Sequence, residues 1–249
     1  MLKNKVVLVT GASSGIGLAI ALMAAREGGR LVLSDVHAQA GVEAAAMIRS
    51  QGGEAIFVAA DVASASDVET LVAQTLERYG RLDVACNNAG VGGAAALVAD
   101  YPLDAWAHVM HTNLDGVFHG MKYQIAAMLA TGGGSIVNVA SILGMVGFDS
   151  ASAYTAAKHG VIGLTQTAAL EYAAQGVRIN AVGPGFIHTP LIASLEGNAT
   201  LMAKLVAAHP MGRLGQPNEV AELVVWLASD RASFVTGAYY PVDGGYLAR

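Results

Sequence analysis

Charge is scarce in this chain: charged residues make up 13% of its 249 residues, aromatic residues 6%, and cysteine occurs once. Each shortage excludes something. The formal net charge is −5, so no basic face is available for a nucleic-acid backbone or an anionic lipid surface, and neither partner is expected. The lone Cys86 cannot close an internal disulfide, and at the end of an expected strand it reads as a small buried hydrophobe rather than a nucleophile. Apolar segments are of strand length or amphipathic, and no long apolar region precedes a small-residue cleavage site near the first residues, so a cytoplasmic protein that does not span a membrane is expected. Histidines are scattered. Only His108 and His111 share a helical i,i+3 spacing, and no metal is expected.

Apolar residues, in contrast, make up 54% of the chain, enough to bury a central sheet between two helical layers. Apolar β-type runs alternate with amphipathic stretches. Strands are expected at 6–9, 30–35, 54–59, 82–86, 135–140 and 177–182, with a short last strand at 238–242 where Pro241 suits an edge. Helices are expected at 42–50, 66–79, 103–130, 151–174 and 218–228. This alternation predicts an α/β fold, a Rossmann-type doubly wound parallel sheet of about seven strands with helices on both faces, in one domain over 1–249. One connection, 185–209, is longer than usual and sits where a lid over the carboxyl end of the sheet would sit.

The richest stretch lies early. Val6, Val7, Leu8 and Val9 run into Thr10-Gly11-Ala12-Ser13-Ser14-Gly15-Ile16-Gly17 and then into a helical pattern. Small residues let a backbone approach a ligand closely, and a helix N-terminus offers free N–H groups to a phosphate, so the turn fits a pyrophosphate. The spacing G-x-x-x-G-x-G alone also fits a tight turn without a ligand. Asp35 favours the first reading, since a carboxylate about 20 residues after the glycines, at the end of the second strand, is where a ribose 2′-hydroxyl finds its partner. Tyr154 and Lys158 are four apart on an expected helix and share a face, so the ammonium can favour the phenolate. Ser141, just past a strand, can donate to a substrate oxygen on which charge develops.

These segments, with Asp61-Val62, Asn87-Asn88-Ala89-Gly90, Asn113, Tyr154-Thr155-Ala156-Ala157-Lys158, Pro184-Gly185 and Val242-Asp243-Gly244-Gly245, resemble the ordered motifs of the short-chain dehydrogenase/reductase family over nearly the whole chain. The resemblance implies an NAD(P)-dependent oxidoreductase moving a hydride between a nicotinamide and a secondary alcohol or ketone. It implies Tyr154 as acid/base, Ser141 at the substrate oxygen, Lys158 on the nicotinamide ribose and on the tyrosine pKa, and Asn113 at a relay water. Gly11, Ser13, Ser14, Gly15, Ile16 and Gly17 would hold the pyrophosphate. Asp61 and Val62 would flank adenine, Asn88, Ala89 and Gly90 the adenosine-to-ribose part, and Pro184, Gly185, Ile187 and Thr189 would close over the nicotinamide. One departure is Gly183, where an alanine or serine commonly precedes the proline. Without a cation near Asp35, NAD(H) is expected over NADP(H). Leu143, Phe148, Phe186, Leu191, Ile192 and Leu195 would make an apolar pocket for a neutral, fairly hydrophobic or cyclic alcohol. The resemblance also implies a homotetramer. Two alternatives stand beside this reading, a 3-oxoacyl carrier-protein reductase of the same family and a non-catalytic dinucleotide-sensing scaffold.

Overall fold

Short runs of buried apolar residues form the seven strands β1 (Val6–Thr10), β2 (Arg30–Asp35), β3 (Glu54–Ala59), β4 (Val84–Asn87), β5 (Gly134–Val139), β6 (Val177–Pro184) and β7 (Tyr239–Val242). The computed structural model describes residues 1–193 and 197–248. All seven strands pair in parallel in the order β3-β2-β1-β4-β5-β6-β7. The order reverses between β1 and β4, and a crevice opens there at the carboxyl ends of the strands.

Alternate residues of each strand face opposite helical layers. Val7, Val9, Leu31 and Leu33 pack towards α1 (Gly15–Arg26), α2 (Ala38–Ser50) and α8 (Pro217–Ala228). Leu8, Val32, Ala85 and Ile136 pack towards α3 (Ala65–Tyr79), α5 (Gly116–Ala130) and α6 (Ser152–Tyr172). Helices α4 (Leu103–Met110) and α7 (Ala199–Ala207) border the carboxyl edge. Cys86 is buried and burial pushes its thiol up to about 12, which makes it an inert core residue. Pro241 sits on β7, at the sheet edge, where its missing N–H costs no ladder bond.

Several boundaries differ from expectation. Helix α2 begins four residues before Val42, and β5 begins at Gly134, one residue before its expected start. The helical region 103–130 is interrupted by a π-helical turn, His111–Asp115, whose extra residue turns Asn113 inwards, fully buried.

A chain of buried amides ties the layers together directly below the crevice. Asn87 and Asn138 face each other in register on β4 and β5. Asn87 Nδ2 donates to Asn138 Oδ1 at 2.9 Å and to Gln124 Oε1 at 3.0 Å, and Gln124 Nε2 returns a bond to Asn87 Oδ1 at 2.8 Å. Asn138 Nδ2 donates to Thr165 Oγ1 at 2.9 Å, and Thr165 donates on to the Val161 carbonyl at 2.7 Å. Such a network is stable only when complete, because each orphaned group would be left without water. Asn138→Ala is therefore expected to destabilise the protein by about 2 kcal/mol, a fall in Tm of roughly 4–8 °C measured by scanning calorimetry.

Candidate active site

The glycine turn is shaped first by the protein's own packing. Gly11 has φ +62°, and a Cβ there would lie 2.8 Å from the Ala89 Cα; a Cβ on Gly17 would collide with the Gly11 carbonyl oxygen. Asn88 completes the turn, donating from Nδ2 to the carbonyls of Thr10 and Gly11 at 3.0 and 3.1 Å. Thr10 Oγ1 in turn accepts from the N–H groups of Asn88 and Ala89 at 3.1 and 3.2 Å. At the start of α1, Ser14 is the N-cap, and its side chain makes no capping bond, so the positive end of the helix faces the crevice.

Asp35 does more than its position on β2 implied. Its Oδ2 accepts from Ser13 N at 3.1 Å and from Ser13 Oγ at 2.6 Å, and its Oδ1 accepts from His37 N at 3.0 Å. The carboxylate thus fixes the turn while remaining at the wall of the crevice. Oδ1, with a single donor, keeps a lone pair for a further one.

Across the crevice, β5 ends at Val139 and Ser141 precedes a 3₁₀ turn, Ile142–Gly144. Ser141 Oγ accepts from Leu143 N–H at 3.1 Å, which leaves the hydroxyl proton free to turn towards Tyr154, whose phenol it lowers. Lys158, one helical turn past Tyr154 on α6, is 3% exposed. Its Nζ donates to the Val139 carbonyl at 2.8 Å and lies 5.5 Å from the centre of the Tyr154 ring. Burial pushes the Tyr154 phenol above its ordinary range, against a lowering by the Ser141 hydrogen bond. Burial also lowers the Lys158 ammonium to about 8. The expected lowering of the phenol by Lys158 is therefore overridden in the protein alone, where desolvation is the stronger effect.

Asn113 clasps one backbone residue from both sides. Its Oδ1 accepts from Val91 N–H and its Nδ2 donates to the Val91 carbonyl, both at 2.8 Å. This spends the amide on fixing the 88–91 loop. A Cβ on Gly90 would stand 3.2 Å from Asn113 Oδ1 and 3.7 Å from Lys158 Nζ, so the three meet at one point.

These groups share one cleft of about 560 Å³ running from the glycine turn to the end of β6. Every residue assigned from the sequence to cofactor, catalysis or substrate lines it except three. Gly17 and Asn113 stand behind its wall, and Leu195 lies outside the described residues. On the substrate side Phe148 and Phe186 face each other with ring centres 5.7 Å apart. The segment after β6 is anchored by a short bridge, His188 N–H to the Gly215 carbonyl and Gly215 N–H to the Phe186 carbonyl, both 3.0 Å. Thr189 lies over Gly15, its Cγ2 3.3 Å from where a Cβ would be.

Several participants carried no readable signal. His209, 3% exposed, accepts from Phe186 N–H at Nε2 (3.3 Å) while Nδ1 meets the Leu205 carbonyl at 2.7 Å, which holds the pocket phenylalanine from behind. Asp149 lines the substrate side, and its neighbour Ser150 adopts φ +61°, a strained backbone for serine. The small-residue run after Gly90 could have marked 91–95 as cleft wall.

Known proteins resemble the chain end to end. A family model described as enoyl-(acyl carrier protein) reductase matches residues 11–247. Cyclohexanol dehydrogenase from Acinetobacter sp. (strain SE19) is 47% identical over 246 residues, which span 99% of this chain and 96% of that protein. The crystal structure of levodione reductase matches with a TM-score of 0.97 and 37% identity over 100% of this chain and 99% of the other. A variant of actinorhodin polyketide ketoreductase with NADPH matches with a TM-score of 0.94 and 40% identity over 98% of this chain and 97% of the other. With the motifs, the sheet order and these likenesses in agreement, the chain belongs to the short-chain dehydrogenase/reductase family and is a hydride-transfer oxidoreductase of the alcohol dehydrogenase and ketone reductase type.

Proposed function

We propose that the protein interconverts a neutral alicyclic secondary alcohol and its ketone, using NAD(H) in preference to NADP(H). The observation that carries this reading is the convergence of Ser141, Tyr154 and Lys158 on one cleft with a glycine turn pinned by Asp35. The residues present fit a dinucleotide. The positive end of α1 suits its pyrophosphate, Asp35 its adenosine ribose, Asp61 and Val62 its adenine, and Lys158 its second ribose, with Pro184, Gly185, Ile187 and Thr189 covering the nicotinamide. When bound, the nicotinamide supplies or takes up the hydride.

The chain's own residues then handle the proton. In alcohol oxidation the Tyr154 oxygen takes the hydroxyl proton, and in ketone reduction it returns one. Ser141, its Oγ already accepting from Leu143, donates to the substrate oxygen and favours the form in which that oxygen carries charge. Lys158, held by Val139, keeps a positive charge beside the phenol and offsets part of the cost of a buried phenolate. The described residues of the 185–209 connection act as a lid that excludes water from this step.

Cofactor choice rests on charge. Lys158 is the only lysine or arginine among the described residues of the cleft wall, and it lies at the catalytic end, so a 2′-phosphate beside Asp35 would meet a carboxylate and no guanidinium. The substrate class rests on the apolar wall of Leu143, Phe148, Phe186, Leu191 and Ile192, and on the likeness to cyclohexanol dehydrogenase. A carrier-bound thioester fits less well, because Arg178 is spent on the Leu227, Val235 and Ser229 carbonyls instead of an acidic carrier. A cytoplasmic homotetramer completes the proposal. Exposed Leu103, Trp106 and Phe118 on α4 and α5, and Leu170 on α6, are apolar surface that assembly would cover.

Mixing the protein with NAD and a panel of ring alcohols should raise nicotinamide absorbance, with kcat/KM higher for NAD than for NADP; the reverse order would overturn the cofactor assignment. Tyr154→Phe should lower kcat by about 10²–10⁴-fold while NADH binding, followed by fluorescence, persists. In wild type, alcohol oxidation should rise with pH as the phenol ionises, and ketone reduction should fall over the same range. Lys158→Met should abolish turnover and yet raise Tm at pH 7. Burial lowers the ammonium from 10.5 to about 8, so the charged lysine destabilises the fold below pH 8, and this burden vanishes as pH rises towards 10.5. The gap in Tm between variant and wild type should therefore narrow between pH 7 and pH 9.5.

A further inference from the structure

The departure at Gly183 has a physical partner. Gly183 on β6 pairs with Pro241 on β7, and Tyr239 pairs with Ala181, so the Tyr239 side chain lies on the diagonal two residues behind Gly183. The ring leans forward along the sheet, straight over Gly183. A Cβ at position 183 would collide with the Tyr239 hydroxyl and with the ring carbon that bears it. Crossing this glycine, the hydroxyl reaches past the end of β5 and donates to the backbone carbonyl of Ser141 at 2.9 Å. Burial and the nearby Asp243 carboxylate push the Tyr239 phenol up, so it remains a donor throughout the working range.

We infer that Tyr239 is a positioning residue for Ser141, admitted to the site by the missing side chain of Gly183. Ser141 is held at two points. Leu143 N–H donates to its Oγ at 3.1 Å, and the Tyr239 hydroxyl fixes its carbonyl. The first bond directs the hydroxyl proton and the second sets the peptide plane that carries the side chain, so together they fix the line from Ser141 Oγ to Tyr154. An alanine at 183 would push the tyrosine off this path. Together, glycine on β6 and tyrosine on β7 give the sheet edge a donor at the catalytic strand end.

This inference rests on the proposal that Ser141 and Tyr154 act on the substrate. Tyr239→Phe keeps the ring and removes only the donor. It should lower kcat about tenfold, leave the KM for NAD unchanged, and move the rising limb of alcohol oxidation to higher pH, because a loosened Ser141 no longer favours the phenolate. Gly183→Ala should move the same limb in the same direction by displacing the hydroxyl, and if that variant is too unstable to assay, Tyr239→Phe alone decides. A lower Tm with an unmoved limb in Tyr239→Phe would make the bond merely structural and overturn the inference, as would wild-type kcat. Tyr154→Phe, measured alongside, separates the two readings: full turnover there would remove the catalytic assignment itself, whereas its loss beside an unaltered Tyr239→Phe would remove only the positioning role.

Discussion

A parallel sheet covered by helices on both faces can meet water, ligand and lid only at its edges and at the ends of its strands. The polar residues of the cleft obey that constraint. The strand interiors, Val6 to Val9 and Leu31 to Leu33, are closed to solvent, and the chain passes from apolar to polar at the carboxyl ends. There β1 turns on Gly11, β2 ends at Asp35, β4 leads to Asn88, β5 to Ser141 and β6 to Pro184. Five strands around the reversal in sheet order thus deliver their terminal residues to one cleft. Chemistry gathers where the sheet order reverses because no other part of the core can accept it.

How much of this was legible depended on whether a residue's partner was near in sequence. The glycine turn, Asp35 and the Tyr154–Lys158 pair could be read because each is a local pattern, strand into turn or one turn of helix. The strands could be read for the same reason, and Glu54–Ala59 matches its expected span at both ends. What escaped was set by distance. The Asn87–Gln124–Asn138–Thr165 chain joins four elements, His209 reaches Phe186 across 23 residues, and Tyr239 reaches Ser141 across 98. The π turn at His111–Asp115 escaped because one inserted residue leaves the apolar pattern on either side almost intact. The pKa balance escaped as well, since spacing gives the neighbours of a phenol but not its depth.

That depth explains why the site is costly to fold. Lys158 is taken from water and Tyr154 partly so, and each is pushed towards its neutral form. In water the ammonium would stabilise a phenolate only weakly. From the buried Lys158 the same charge acts with less screening, so the burial that destabilises the fold is what makes the pair effective once a proton must move. Ser141 and Val139 stand on the same strand end and hold one partner each. The strand end therefore sets the geometry of both titrating groups.

Glycine enters this argument as a measure of crowding rather than of ligand alone. Among the glycines of the turn, Gly11 and Gly17 are required by the protein's own backbone, whereas Gly15 opens the helix beneath Thr189. A Cβ on Gly120 would stand 2.5 Å from Asn87 Oδ1, and one on Gly183 would meet the Tyr239 hydroxyl. In both cases the missing side chain makes room for a polar atom that is already bonded within the core. A substitution there would break a hydrogen bond as well as crowd a contact, so its cost would exceed that of overpacking alone. Two kinds of work are visible among these glycines. Those with positive φ turn the chain, whereas Gly183 on β6 and Gly120 on α5 leave room for polar atoms bonded to groups on other elements, which is how a sheet with so few charged residues still directs polar groups into a single cleft.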